Sequence, residues 1–348
     1  MKVLFVDGTG GFSPLRLTTK PTGGIITSLT LIPQYLAAQG HEVVVGSEYE
    51  GPKEGNQRLR GVEYIRELRE SDRQSDVVVF NRNIYNHAFL DQFSKRSRLV
   101  WWLHDIVDYR FMEDDSYLRM DQIVALSDYC VASYADFFGI GRDRFTVIPN
   151  GVDKALFKPN DAHNRKLFVC ASATIKGLYP MHFTWANLKR CVPDAELRIY
   201  SSQSLHDKED TSQAKGQLKA LEEAGAQVLA PIPQAELAEV FRAARAVLMP
   251  NHYPEICSNI LLQAQACGTP VVATDIGSAN EYITNYETGL LTQTKPHDMF
   301  WWHKDYAQLT LKIATDNMLY DAIHAKAPGK VYDWKEIGEK WNGLVSFL

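Results

Sequence analysis

The chain has 348 residues, of which 45% are hydrophobic and 23% are charged, as is typical of a globular protein with two hydrophobic cores. Its formal net charge of −5 argues against a general nucleic-acid-binding protein, so we expect no nucleic-acid partner. No apolar run approaches the roughly 18 residues of a membrane span, and the first residues predict a strand in place of a signal peptide. We therefore expect a cytoplasmic protein without a transmembrane segment, and peripheral contact with the inner face of the membrane stays open.

The five cysteines are odd in number, scattered and without the spacing of metal ligands. This pattern favours reduced core thiols over a disulfide framework, and we expect no metal site. The cysteines are Cys130, Cys170, Cys191, Cys257 and Cys267.

Apolar runs that predict strands alternate with longer patterns that predict helices along the first half of the chain. The predicted strands are Lys2–Asp7, His41–Gly46, Val77–Phe80, Leu99–Leu103, Gln122–Ala125 and Phe145–Ile148. Two helices are predicted, at Gly24–Gly40 and Ser127–Phe138. The segment Gly8–Gly11 is interpreted as a flexible loop, because Ser13 stands where a dinucleotide-binding fingerprint needs its third glycine. A Rossmann oxidoreductase is therefore not favoured.

The same alternation continues in the second half, after a turn-rich segment at Pro149–Arg165. The predicted strands are Leu167–Ala171, Glu196–Tyr200, Val228–Leu229, Ala246–Met249 and Val271–Thr274. Such alternation predicts an α/β protein with parallel sheets covered by helices on both faces. We expect one domain at residues 1–155 and a second at 156–333, followed by a final helix at 334–348.

The segment from Ala246 to Thr274 carries the strongest functional signal. It is predicted to run from a strand through a polar loop ending at Glu255 into a helix at Ser258–Cys267, with Gly268 just past the helix end. In a parallel sheet, the start of this helix lies at the carboxyl edge, where free N–H groups and the helix dipole attract phosphate. Glu255 can accept hydrogen bonds from sugar hydroxyls. Phosphate and hydroxyl recognition together indicate a nucleotide sugar as the ligand.

This segment resembles the signature of the family-4 retaining glycosyltransferases (glycosyl transferases group 1), which have the GT-B fold. Glu255 matches the first acid of the signature, Ala266–Ala273 matches the helix end and the strand, and Gln263 replaces the second acid. The resemblance implies two Rossmann-like parallel-sheet domains that face each other across a cleft. It also implies that Glu255 contacts the donor sugar and that residue 263 holds the nucleotide ribose. Cys257, Ser258, Asn259 and Ile260, at the helix start, are predicted to belong to the donor site.

Further segments extend the resemblance over nearly the whole chain, most strongly at residues 145–283 and least at 50–98. They are Leu126–Asp128, Val147–Asp153, Lys176–Leu178, Pro193–Ile199, Glu236–Met249 and Trp334–Trp341. In the family the terminal helix crosses back to the first domain, and we expect the same of residues 334–348.

Lys176 follows the first strand of the second domain on a turn, where an ammonium group can reach a diphosphate. Many members of the family carry an arginine five residues earlier, but Ala171 stands here with Ser172 beside it. We assign both Lys176 and Ser172 to the donor site. The missing arginine leaves one cation less for the developing negative charge on the leaving phosphates.

Two sites in the first domain are assigned by resemblance. Gly23 and Gly24 form a glycine loop that approaches the donor phosphates, because only glycine lets backbone N–H groups come so close. His104, at the carboxyl edge of the first sheet, is placed against the transferred sugar near its primary hydroxyl. His104, Glu255 and Lys176 are the predicted catalytic residues.

The sequence thus predicts a metal-independent retaining glycosyltransferase without a cofactor. Its partners are a nucleoside-diphosphate sugar as donor and a glycan, lipid-linked or small-molecule hydroxyl as acceptor. Gln263 and the missing arginine leave two alternatives open, a nucleotide-sugar-binding protein without turnover and a GT-B nucleotide-sugar epimerase. The aromatic run at residues 300–303 is interpreted as a helix face packed on the second domain.

Overall fold

The computed structural model describes residues 1–12, 14–15, 17, 21–49, 57–83, 85–107, 115–160, 166–202 and 209–348. The chain divides into two compact units. The first unit comprises Met1–Arg16, Gly24–Gly151 and Trp334–Leu348. The second unit comprises Leu17–Gly23 and Val152–Asp333. No helix in the described ranges is long and apolar enough to cross a membrane.

The strands of the first unit form one sheet in the order β3-β4-β2-β1-β5-β6-β7-β8, parallel except for the antiparallel pair β3-β4. These strands are β1 (Lys2–Phe12), β2 (Glu42–Tyr49), β3 (Gln57–Leu59), β4 (Val62–Ile65), β5 (Val77–Asn81), β6 (Arg98–Trp102), β7 (Gln122–Ala125) and β8 (Phe145–Val147). The chain reverses its direction of travel across the sheet between β1 and β5. Val3 of β1 pairs with Val43 of β2 on one side and with Val77 of β5 on the other.

The strands of the second unit form a wholly parallel sheet in the order β11-β10-β9-β12-β13-β14. They are β9 (Leu167–Cys170), β10 (Glu196–Ile199), β11 (Gln227–Val228), β12 (Ala246–Met249), β13 (Val271–Ala273) and β14 (Leu290–Leu291). The order reverses between β9 and β12, because β10 and β11 lie on one side of β9 and the later strands lie on the other. In parallel sheets such a reversal leaves a crevice at the carboxyl ends of the two strands, where ligands bind.

The α-helices of the described residues connect these strands and cover the sheets. They are α1 (Gly24–Ala38), α2 (Glu70–Arg73), α3 (His87–Leu90), α4 (Asp128–Phe138), α5 (Met181–Cys191), α6 (Ser212–Glu223), α7 (Gln234–Ala243), α8 (Asn259–Ala266), α9 (Ala279–Tyr282), α10 (Met299–Thr315), α11 (Asn317–Lys326) and α12 (Trp334–Phe347). The helix α4 shows how sequence sets the ends. Ser127 caps its start by accepting a hydrogen bond from the Cys130 amide (3.1 Å), and Gly139 ends it with a φ of 64°.

The core of the second unit has two layers, because alternate residues of each strand point to opposite faces. Val169 and Val247 pack with α7 and α8 on one face. Phe168 and Leu248 lie in the cluster on the other face, with residues of α5 and α10. The carboxyl ends of β9 and β12 are thereby held on a rigid base.

The final helix α12 packs on the first unit. The ring of Trp341 is buried, 4.7 Å from the ring of Trp102 and 6.3 Å from that of Phe5. Gly338 faces the ring of Tyr35 on α1, and a Cβ atom at Gly338 would come within 2.3 Å of it. Close helix approach therefore requires glycine at this position.

The structure confirms the alternation of strands and helices and the two parallel-sheet units, but it corrects three interpretations. Gly8–Gly11 belongs to β1 and not to a loop, because after a shift of register Phe12 still pairs with Tyr49. Ser13 lies outside the described residues, as do residues 161–165 of the expected boundary segment. Cys191 is exposed at the end of α5, so it is not a core thiol.

The aromatic run at the start of α10 is the third correction. Trp302 is buried at 1% exposure and its indole N–H donates to the Thr274 hydroxyl (3.1 Å), as a packed helix face requires. Phe300 and Trp301 are 69% and 51% exposed. Consecutive residues of a helix point about 100° apart, so one neighbour can be buried while the two before it face solvent.

Candidate functional site

The carboxyl ends of β9 and β12 carry the polar groups of the second unit. Cys170, the last residue of β9, leads into a 3₁₀ turn at Thr174–Lys176. The loop after β12 runs through Asn251 and Glu255 to the start of α8. Because β9 and β12 are neighbours in the sheet, residues far apart in sequence meet at this edge.

Lys176 and Glu255 form an ion pair at this edge. The Lys176 ammonium nitrogen lies 2.7 Å from Oε2 of Glu255, and the side chains are only 27% and 14% exposed. The backbone joins the same two loops, since the His252 amide donates to the Lys176 carbonyl (2.9 Å). A lysine beside a carboxylate at the reversal point of a parallel sheet is placed to meet an anionic ligand that also carries hydroxyl groups.

The loop geometry around Glu255 depends on a glycine and a serine. Gly277 has a φ of 62°, and a Cβ atom there would lie 2.4 Å from the Glu255 carbonyl oxygen. The amide and the hydroxyl of Ser278 both donate to that carbonyl oxygen at 2.9 Å. The main chain of Glu255 is therefore held in place by Gly277 and Ser278, and substitution of Gly277 would displace it.

A recess of about 310 Å³, including its open mouth, lies beside Glu255. Its floor is the apolar end of β12 and β13, and its rim is polar. The lining residues are Met249, Asn251, Tyr253, Glu255, Ser258, Leu261, Ala273, Thr274, Ile276, Ser278 and Ala279. Concave sites of this kind combine apolar walls with a few fixed polar groups that orient a ligand.

The helix α8 begins at the recess. Ser258 occupies the N-cap position, but within the described structure its side chain makes no capping hydrogen bond, so the predicted side-chain cap is not formed. The backbone N–H groups of the first turn and the positive end of the helix dipole remain at this edge. The predicted helix end is confirmed, because Gly268 has a φ of 71° just beyond α8.

Four other predicted donor residues lie on α8 or just before it. Cys257 and Ile260 pack against the core cluster of the second unit, and Gln263 is 6% exposed on α8. None of these three lines the recess as described. Gln263 is therefore not a surface residue of α8. Asn259 is the first residue of α8 and contributes its backbone to the helix start.

Gly23 and Gly24 lie at the start of α1, whose first residue is Gly24. Gly23 groups with the second unit and Gly24 with the first. Their approach to donor phosphates stays a prediction.

His104 follows β6 in the first unit, with its ring 4.4 Å from that of Trp102. Its Nε2 atom is buried and has no hydrogen-bond partner among the described residues. Burial, and then the positive charge of Arg82, lower the pKa of His104 to about 3. The imidazole is therefore neutral at physiological pH and can act as a hydrogen-bonding group without charge.

Polar side chains at the carboxyl edge of the first sheet are paired with each other. The Arg82 guanidinium bonds both oxygens of Asp105, and the Asp105 carbonyl accepts from the Tyr134 hydroxyl (3.2 Å). The Asn81 amide donates to the buried Asp7 carboxylate (2.7 Å) where β1 and β5 diverge. Asp7 was not predicted from the sequence to be a site residue, although it is the polar residue that ends a run of buried apolar residues.

In the second unit Asn251 and Asp210 were not predicted from the sequence to be site residues. The Asn251 amide donates to the Glu255 carboxylate. The Asp210 carboxylate accepts from the hydroxyls of Thr174 and Ser202 and so ties the Lys176 turn to the segment after β10. Asn251 could have been predicted, because it is a polar residue just past a buried strand, whereas no local sequence pattern indicates Asp210. Among the described residues no group of three His, Cys, Asp or Glu side chains could hold a metal ion.

Comparisons with known proteins identify the family of the chain. The model of glycosyl transferases group 1 matches residues 164–301, and that of glycosyltransferase family 4 matches residues 22–156. A D-inositol 3-phosphate glycosyltransferase of Pseudarthrobacter chlorophenolicus is 31% identical over 182 residues, which cover 49% of this chain and 43% of that protein. The corresponding protein of Paenarthrobacter aurescens is 33% identical over 172 residues, covering 44% and 40%. The matched part thus spans less than half the length of these relatives.

Solved structures share the fold over the full chain. Sucrose-phosphate synthase from Thermosynechococcus elongatus superposes with a TM-score of 0.77 at 17% identity, covering 100% of this chain and 98% of the other. Anabaena HepE, solved with UDP and glucose, superposes with a TM-score of 0.71 at 19% identity, covering 100% of both chains.

The two parallel-sheet α/β units and the solved structures that share their fold define the class of GT-B proteins. Two family models, one matching part of each unit, make the assignment more specific. The chain belongs to the family-4, group 1 glycosyltransferases, and the family and fold predicted from the sequence are confirmed.

Proposed function

We propose that this protein is a retaining glycosyltransferase that moves a sugar from a nucleoside-diphosphate sugar to a hydroxyl acceptor. The observation that carries the proposal is the Lys176–Glu255 pair beside a recess at the reversal of the second sheet. A nucleotide sugar offers a matching set of groups, since its diphosphate suits the ammonium and its sugar hydroxyls suit the carboxylate.

The second unit supplies the donor site in this proposal. Lys176 neutralises charge on the diphosphate, and the N–H groups at the start of α8 add fixed positive dipoles. Glu255 accepts hydrogen bonds from sugar hydroxyls and so fixes the ring beside the bond that breaks. Gln263 takes the place of the family's second acid toward the ribose, where an amide can donate as well as accept.

The proposed transfer retains the anomeric configuration and needs no protein nucleophile. The bond between the anomeric carbon and the phosphate oxygen breaks while the acceptor oxygen bonds to that carbon on the same face. The acceptor proton passes to the leaving phosphate oxygen, so charge and atoms balance. Lys176 and the α8 dipole stabilise the negative charge that develops on the diphosphate.

The first unit supplies the acceptor side in the proposal. At its polar edge Arg82 and Asp105 neutralise each other, and the Asp7 carboxylate accepts a hydrogen bond from the Asn81 amide. The uncharged His104 lies at the same edge. Such an edge suits a hydroxyl-rich, uncharged part of an acceptor better than a phosphate. The D-inositol 3-phosphate glycosyltransferases among the relatives are named for a phosphorylated polyol, and the hydroxyl groups of such a molecule are the part that this edge would meet.

Thermal unfolding with uridine, guanosine and adenosine diphosphates tests the donor class first. A bound nucleotide raises the melting temperature by mass action, and the structures of HepE with UDP make uridine diphosphate the first nucleotide to try. We expect one diphosphate to stabilise the protein more than its nucleoside does. Equal shifts from nucleoside and diphosphate, or no shift with any of them, would contradict the proposed site.

Turnover assays with the matching nucleotide sugar separate the three candidate functions. A transferase hydrolyses donor slowly and transfers sugar to an added acceptor, a binding protein does neither, and an epimerase interconverts sugars without an acceptor. We expect transfer, and we expect a chelator to leave its rate nearly unchanged because Lys176 supplies the cation. Loss of activity with chelator and recovery with a divalent ion would contradict metal independence.

A further inference from the structure

Asn251 lies between β12 and Glu255 and is buried. Its side-chain amide bridges two loops at the carboxyl edge of the second sheet. The amide nitrogen donates to Oε1 of Glu255, and the amide oxygen lies 3.4 Å from the Ser172 hydroxyl, which donates to it. Ser172 follows β9 and is also buried. A hydrogen-bonded chain thus runs from the end of β9 to the carboxylate of Glu255.

The donors and acceptors in this hydrogen-bonded series follow from the chemistry of its groups. A carboxylate can only accept hydrogen bonds, so the NH₂ end of the Asn251 amide must face Glu255. The carbonyl end then faces Ser172, whose hydroxyl can donate to it. The second carboxylate oxygen, Oε2, is left to Lys176 at 2.7 Å. The two oxygens of Glu255 are therefore held by different groups.

We infer that Asn251 is a positioning residue, which holds Oε1 of Glu255 so that Oε2 is presented to the ligand, and that Ser172 sets the orientation of the amide. This inference rests on the proposed function. It changes the role of Ser172, because the hydroxyl acts through Asn251 and not on the donor. The same geometry explains why an amide suits position 251, since a carboxylate there would face the carboxylate of Glu255.

A double-mutant cycle on turnover tests the inference, because residues that act through one another have non-additive effects. Asn251→Ala should lower kcat about tenfold and leave the affinity for nucleoside diphosphate within about twofold of wild type. In the Glu255→Ala background the same substitution should have almost no further effect. Asn187→Ala, which removes an amide that donates to the Phe183 carbonyl on α5, is the matched control and should leave kcat unchanged.

The Ser172 end of the chain has its own pair of variants. Ser172→Ala should lower kcat by a smaller factor, about threefold, because the amide stays beside Glu255 but loses the bond that orients it. Ser172→Thr keeps a hydroxyl and should recover most of the loss. If Ser172→Ala and Ser172→Thr are equally impaired, or if Ser172→Ala weakens diphosphate binding instead of kcat, the orienting role is wrong.

A second cycle measures urea unfolding without ligand, so it does not depend on activity. We expect the effects of Asn251→Ala and Glu255→Ala on the free energy of unfolding to be non-additive. Additive effects would overturn the inference whatever the enzyme does. If unfolding shows the coupling but wild type transfers no sugar and binds no nucleotide sugar, the proposed function fails and the positioning role falls with it. If wild type is active and the losses in kcat add, the proposed function stands and only the role of Asn251 is overturned.

Discussion

The carboxyl edges of the two sheets differ in how their charges are used. In the second unit Lys176 and Glu255 form an ion pair beside an open recess. A ligand with phosphate and hydroxyl groups can take the place of Glu255 as the partner of Lys176, and of Lys176 as the partner of Glu255. In the first unit the charges of Arg82 and Asp105 are directed at each other, and His104 is kept neutral by burial. In the proposed function this difference suits the edge of the second unit to a charged ligand and that of the first unit to an uncharged, hydroxyl-bearing one.

Substitution of Glu255 should have the largest effect among the tests of this difference between the two edges. Glu255→Ala should lower turnover about a hundredfold, about 2.7 kcal/mol, because a fixed polar group that meets the transition state is lost. The affinity for nucleoside diphosphate should survive, since the proposed function assigns the phosphates to Lys176 and α8. Steady-state kinetics measures the turnover, and calorimetry measures the affinity for nucleoside diphosphate. Glu287→Ala, which removes an exposed partner of Lys326, is the control. Wild-type turnover in Glu255→Ala would remove Glu255 from the site.

His104 should make the protein sensitive to acid. Its pKa is about 3 when folded, against roughly 6.5 when unfolded, so between these values the unfolded chain binds the extra proton. The contribution of His104 to the free energy of unfolding is fully present above about pH 6.5 and falls as the pH is lowered toward 3. Between pH 7 and pH 5, wild type should lose roughly 2 kcal/mol more than His104→Gln in urea unfolding.

A control separates this effect from general acid unfolding. His182→Gln, on the exposed side of α5, should lose as much stability as wild type over the same range. Identical pH dependence in wild type and His104→Gln would show that His104 is not buried in its neutral form. It would also remove the contrast between the two edges.

Lys176 gives the next effect. Lys176→Ala should weaken nucleoside diphosphate by about 1–2 kcal/mol and leave the nucleoside nearly unchanged, because the ammonium acts on phosphate and not on the base. Calorimetry with both ligands measures the difference. Lys295→Ala removes another lysine paired with a carboxylate, Asp275, and should affect neither ligand. Equal losses for nucleoside and diphosphate would assign Lys176 a structural role.

Gln263 should give the smallest effect. Gln263→Glu restores the acid of the family signature, but the position is buried, and a carboxylate there without a cation carries a desolvation cost. We therefore expect the variant to fold and to bind donor nucleotide no better than wild type. A several-fold gain in both affinity and turnover would show instead that this site has been weakened by the loss of its acid.

Much of the fold could be predicted because its signals are local. The apolar run Val77–Phe80 predicts a strand from a few consecutive residues, and the sequence from Ala266 to Ala273 likewise predicts a helix end followed by a strand. The Gly8–Gly11 segment could not be predicted, because its pairing depends on a partner at Tyr49 beyond a register shift. Glycine content suggested a loop, and tertiary pairing overrode it.

The candidate site was only partly predictable for the same reason. Glu255 and Lys176 were found singly, but their contact follows from the adjacency of β9 and β12, which the order of strands in the chain does not reveal. The chain from Ser172 through Asn251 depends on the same adjacency. The lowered pKa of His104 arises from burial, and burial is a property of the folded unit.

The strand order also has a consequence for synthesis on the ribosome. Lys176 and Glu255 are 79 positions apart, and β10 and β11 are made in between but join the other side of β9. At about 5–20 residues per second, roughly 4–16 s pass between translation of the lysine and of its partner. During that interval the edge of β9 that later binds β12 is unpaired in the nascent chain. The second unit is thus incomplete, and open to wrong strand pairing, until its late segment emerges.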